Sequence, residues 1–343
     1  MLSSNRINAI KGLCILFMVI GHSGAPVLLT RWIYLFHMPI FFIISGYLFK
    51  IEYFGTPCIF IKKKLKGLYI PYLKWGIVFM IFHNLLFKIN IYEAPIDNFY
   101  YQIFRLLSFR GADQLLGGYW FLQSLFISFL FFFIFNIVLL KICNNVRRNT
   151  CVSILFFLSA SITIIIFEKN YPIIDSCNLL AAFYLSLGFF FKQCNIEAFC
   201  VKRLSAIALM SFLPTLVMAS INTETFNMAY LSSKSIFPFV LSSLLGFIFI
   251  YSITGLKLFQ SNILLDLLGK NTLVILTFHM LSFKILSFFI LCFSSGDINH
   301  LQDFPVLKDS ENYYWVLYTI VGIIVPLLLE YLFKNNSIIK IKL

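Results

Sequence analysis

Two histidines stand inside apolar stretches long enough to cross a bilayer: His22 in RINAIKGLCILFMVIGHS and His37 in LFHMPIFFIISGYLF. An ionisable side chain held in hydrocarbon is costly, so such groups are functional candidates by default. An imidazole titrates near neutral pH, and the chemistry it suits is taking or giving a proton. Positions 8, 11, 15, 18 and 22 step by three and four, which lays Asn8, Lys11, Ile15, Met18 and His22 along one stripe of a helix. Lys11 and His22 are separated by about 16 Å along that axis. One face therefore carries a cation near one membrane boundary and an imidazole near the other.

The next apolar stretch must position His37. A helix starting at Pro39 leaves about 12 residues before Lys50, roughly 18 Å, too short to cross. The helix is expected to begin near Trp32, with Pro39 in its first turns, where its missing N–H leaves the carbonyl of Leu35 without its bond and favours a kink. His22 and His37 then sit at matching depth on neighbouring antiparallel helices, and one pocket is expected to hold both. Farther along, Ser45-Gly46 allows close helix approach.

The whole chain has the composition of the membrane class: 60% of its 343 residues are hydrophobic, 12% are charged, and Phe alone accounts for 42. Apolar runs of spanning length recur, centred on 9–26, 33–49, 68–88, 118–140, 150–167, 176–193, 204–220, 236–256, 271–292 and 313–333. They lack the alternation of barrel strands, so an all-α polytopic membrane protein of about ten transmembrane helices is expected, over a single domain, 1–343. With the N-terminus inside, ten crossings put most Lys and Arg on the inner side, among them Lys62, Lys63, Lys64, Lys66, Lys202, Lys340 and Lys342. Both termini are thus expected to be cytoplasmic. Lys169 and the acidic Glu224, Asp309 and Glu311 fall outside. Topology accounts for most of the net charge of +13, and no nucleic-acid partner is needed to explain it. The first run has the basic flank of a secretory signal, but no small-residue cleavage pattern follows Gly21-His22-Ser23-Gly24, so it is read as retained. The eight cysteines have no CxxC or zinc-ligand spacing and read as reduced, buried thiols; no metal is expected.

The Lys-x10-His of Lys11 to His22 within IKGLCILFMVIGHS, followed by FHMPIFFIISGYLF, resembles the opening of acyltransferase family 3, especially its fucose-4-O-acetylase-like branch. KKKLKGLYIPYLKW (62–75), GGYWFLQSLF (117–126), AAFYLSLGFFF (181–191) and LLGKNTLVILTFH (267–279) continue the resemblance in order over nearly the whole chain. It implies an enzyme of the bacterial inner membrane that transfers an acyl group, usually acetyl from acetyl-CoA, to a hydroxyl of a cell-surface or lipid-linked glycan. The chain departs from the pattern at Asn8, where an acidic residue is common, and a neutral amide cannot pair electrostatically with Lys11.

On that resemblance His22 is the expected general base for a sugar hydroxyl, and His37 orients it or polarises the thioester carbonyl; an acetyl-histidine intermediate is the alternative route. Lys11, with Asn8 beside it and the Lys62, Lys63, Lys64 run, is expected to meet the phosphates of acetyl-CoA from the cytoplasm. Trp120 suits a sugar ring or an interfacial belt. His279, about 12 Å into its helix, is a further site candidate, whereas His83 and His300 read as interfacial. The competing class is a lipid-linked glycan flippase, which also has many spans and buried polar groups. Against it, no pair of Gly/Pro-interrupted half-helices recurs in the two halves of the chain.

Overall fold

In the computed structural model, residues 2–168, 171, 173–194, 203–222, 225–232, 234–308 and 314–335 are described. Of the charges used above to orient the chain, Lys169, Lys202, Glu224, Asp309, Glu311, Lys340 and Lys342 lie outside them. The described residues form helices and turns without a strand: α1 (Ser4–His22), α2 (Val27–Tyr34), α3 (His37–Tyr47), α4 (Pro57–Lys64), α5 (Ile70–Phe87), α6 (Phe99–Leu107), α7 (Trp120–Ile142), α8 (Val146–Phe167), α9 (Ser176–Gln193), α10 (Leu204–Ile221), α11 (Ile236–Ile253), α12 (Lys257–Gln260), α13 (Ile263–Lys270), α14 (Thr272–Ser294) and α15 (Trp315–Asn335). Short polar side chains start several of them. Ser3 accepts from the Arg6 N–H, Asn145 from Arg148, Asp175 from Asn178 and Asn262 from Leu265.

Among the described residues nine segments are long and apolar enough to cross a membrane, with α2–α3 and α4–α5 each counting as one. The run at 176–193 forms α9 but is not among the nine. Ser176, Asn178, Lys192 and Gln193 dilute its ends, while its middle is buried against α3, α7 and α8. There α3 and α9 meet backbone to backbone. A side chain at Gly46 would lie 1.9 Å from the Leu185 carbonyl oxygen, and one at Gly188 1.8 Å from that of Ile43.

Two spans differ from the sequence expectation. The second begins at Val27 and breaks at Leu35-Phe36, so Pro39 falls in the first turn of α3, where its missing N–H costs nothing. The third begins at Pro57, well before 68, and contains a π-turn over Leu65–Tyr69 in which the Ile70 N–H reaches back to the Leu65 carbonyl. Pro71 follows directly and has no N–H for the Gly67 carbonyl, which accounts for a widened turn at this point.

Candidate functional site

The α2–α3 break sets the orientation of His37. The Ile33 carbonyl, which at the break takes the Phe36 N–H three residues on, accepts a hydrogen bond from His37 Nδ1 at 2.8 Å. A carbonyl can only accept, so His37 carries its proton on Nδ1 and keeps a lone pair on Nε2. His279 on α14 is held the same way, with Nδ1 donating to the carbonyls of Ile275 and Leu276 at 3.1 and 3.0 Å. Its Nε2 is buried without a hydrogen-bond partner among the described residues. His22, the last residue of α1, lies with its ring centroid 5.6 Å from that of His279.

Tyr34 joins the two histidines of α1 and α3. Its hydroxyl is 3.4 Å from His22 Nδ1, and its ring meets the His37 ring edge-on at 5.1 Å. Gly21 makes this approach feasible, because a Cβ there would meet the Tyr34 ring at 2.7 Å. His22, Tyr34, His37 and Trp120 line one small cavity of about 50 Å³, together with Gly118, Asn227 and Met228. The cavity wall at Gly118 belongs to a 3-10 turn, Gln114–Tyr119, packed closely on α14: a Cβ there would lie 2.6 Å from the tip of the Leu276 side chain. The turn is pinned at its start by Asp113, which accepts from the Leu115 N–H and the Tyr92 hydroxyl and pairs with His83 at 2.7 Å. Burial, and then the Asp113 carboxylate beside it, push the Tyr92 hydroxyl above its ordinary range, so it stays protonated and donates.

A second cavity, about 280 Å³ and mostly apolar, adjoins the first toward the start of α1. Lys11 is the one charged side chain among its described lining residues, and no hydrogen bond or ion pair holds the Lys11 ammonium among the described residues. Gly67 and Leu68 of the π-turn and Thr272 at the start of α14 complete that end. Met18, Met38 and Leu276 line both cavities. Lys11 and His22 thus line two adjoining cavities along α1.

The structure brings His22, His37 and Trp120 to one cavity, His279 against His22, and Lys11 to the adjoining one. Asn8, Lys62, Lys63 and Lys64 are placed elsewhere. Asn8 donates to Asp266 Oδ1 at 2.8 Å, and Asp266 also pairs with Lys270. These two contacts, Lys270 first, hold the Asp266 carboxyl below the usual carboxylate range. The carboxylate missing at position 8 is therefore supplied next to it by α13. Lys63 donates to the Tyr53 hydroxyl, and the Lys64 ammonium sits 3.2 Å from the centre of the Phe129 ring. Consecutive residues fan by about 100° around a helix, so the three cannot converge on one cavity, and none lines the Lys11 cavity. With its Nδ1 proton hydrogen-bonded to the Ile33 carbonyl, neutral His37 presents Nε2 as an acceptor. Sequence reasoning passed over Tyr34, Gly118 and Met38. The one available signal was the polar aromatic in RWIYLFH, three residues before His37.

The family model described as acyltransferase domain, that of acyltransferase family 3, matches residues 4–331, and the chain belongs to that family. No curated protein and no solved structure matches it.

Proposed function

We propose that this member of acyltransferase family 3 takes acetyl from cytoplasmic acetyl-CoA and places it on a hydroxyl of a cell-surface or lipid-linked glycan, in the bacterial inner membrane. The proposal includes ten crossings with both termini cytoplasmic. One observation carries it: in a protein of this family, Lys11 and a group of imidazoles stand at two adjoining cavities along α1. Lys11 has the charge to meet an anionic donor, and an apolar cavity suits the pantetheine arm and thioester. The likeness of the opening motifs to the fucose-4-O-acetylase-like branch supports a sugar hydroxyl as acceptor.

In this reading His22 Nδ1–H donates to the Tyr34 oxygen, leaving Nε2 to take the proton of the attacking hydroxyl. The sugar oxygen bonds to the thioester carbonyl carbon as the carbon–sulfur bond breaks. CoA leaves as thiolate, and the proton held on His22 passes to it. The buried Nε2 lone pair of His279, without a partner among the described residues, lies beside the imidazole on which positive charge develops, and favours it. His37, fixed by Ile33, accepts a hydrogen bond from the acceptor sugar and orients it. Trp120 offers its ring to the sugar face. Mass spectrometry of surface glycans from strains with and without the protein tests the reading. Loss of acetyl groups at unchanged glycan amount supports it, whereas a change in glycan amount at unchanged acetylation points to a flippase.

A further inference from the structure

The wall between the two cavities has a regular construction. Met18 lies one turn before His22 on α1, Met38 directly follows His37 on α3, and Leu276 lies one turn before His279 on α14. Each helix that supplies an imidazole also supplies one apolar side chain to the boundary. All three wall side chains are buried, at 3%, 8% and 5% exposure. The space on the Lys11 side is about 280 Å³, and on the histidine side about 50 Å³. One water needs about 10–15 Å³ on this scale. The histidine side is thus several-fold smaller than the inner side, and the three side chains mark the narrowing between them.

We infer that Met18, Met38 and Leu276 set the acyl length this protein transfers, by admitting a two-carbon acyl group to His22 and holding longer chains behind the wall. The inference rests on the acyl-transfer reading above and adds its selectivity. Two of the three are methionines, unbranched and flexible, so the wall can part around a small thioester without leaving an open pore. Discrimination is then steric: a chain longer than acetyl keeps its carbonyl short of the imidazole, and truncating a wall side chain returns that length. A single methylene in an apolar pocket is worth about tenfold or more in selectivity.

The test uses native membrane vesicles carrying the full-length protein, supplied in turn with acetyl-, butanoyl- and hexanoyl-CoA, with glycan-linked acyl groups read by mass spectrometry. The wild type is expected to transfer acetyl and little else. Met38→Ala should raise the butanoyl-to-acetyl ratio about tenfold or more, and Met18→Ala and Leu276→Ala should move it the same way. Met38→Leu, which keeps the volume, should leave the ratio unmoved. If truncation abolishes all transfer, acyl-CoA protection against thermal unfolding replaces it as readout, and the three alanine variants should gain protection from butanoyl-CoA relative to acetyl-CoA. A wild type that transfers hexanoyl as readily as acetyl, or truncated variants with the wild-type chain-length profile by either readout, overturns the inference and leaves acyl transfer standing. A wild type that transfers nothing from any acyl-CoA overturns the acyl-transfer reading and the inference with it.

Discussion

Lys11 is the residue whose two readings differ most in consequence. As a membrane-edge anchor it needs only its charge; as a donor contact it acts on the concentration of acetyl-CoA required. No partner holds its ammonium among the described residues while it lines the larger cavity, which favours the second. Lys11→Met should raise the acetyl-CoA needed for half-maximal transfer about tenfold, the worth of a charge-assisted hydrogen bond, with less effect on the maximal rate. Titration of vesicles with labelled acetyl-CoA checks this, and an unchanged requirement makes Lys11 an anchor only. At this scale His22 and His37 were legible because an imidazole in an apolar run carries an energetic cost that composition alone exposes. Tyr34 was not, since a tyrosine near a membrane boundary is ordinary. The triple lysine misled for a geometric reason: sequence gives its charge but not the directions in which α4 fans it, toward Tyr53 and over Phe129.

Between helices, the relation of Lys11 and Asn8 to the site depends on how closely α13 lies along α1. A side chain at Gly12 would fall 2.2 Å from the Leu265 carbonyl oxygen, and one at Gly269 2.0 Å from that of Asn8. Backbone opposes each, so no rotamer change relieves the clash. Gly12→Leu should lower the thermal midpoint of the detergent-purified protein, by about 1–3 kcal/mol in stability or more, and weaken transfer by displacing Lys11. Gly55, with no atom within 4 Å of a built Cβ, is the control position at which the same change should be silent. Most helices could be placed from the apolar runs, because spanning length and hydropathy dominate in lipid. The α2–α3 break was expected only as a kink favoured by Pro39 at the Leu35 carbonyl; that it ends one helix at Tyr34, starts another at His37 and turns the His37 ring onto Ile33 was not legible. Nor was α13, too short and amphipathic to register as a span, although it provides the carboxylate that α1 lacks.

Over the whole molecule, the proposed relay fixes a direction: donor at the Lys11 end, acceptor at the His22 end. With native cysteines replaced, Asn299→Cys should react with an impermeant thiol reagent added to intact cells, and Lys62→Cys only after the membrane is opened; both side chains are exposed. Labelling of Lys62→Cys from outside would invert the orientation and place the donor cavity on the wrong face. The most direct test of the central claim, that His22 activates a sugar hydroxyl toward an acyl group delivered from the Lys11 side, uses sealed vesicles of both orientations and labelled acetyl-CoA added only to the external medium. Inside-out vesicles, which expose the Lys11 end in the proposed topology, should label glycan in their lumen, right-side-out vesicles should not, and His22→Ala at equal abundance should lower labelling about 10²-fold or more. Equal labelling from both orientations, or undiminished labelling by a well-inserted His22→Ala protein, would contradict the relay.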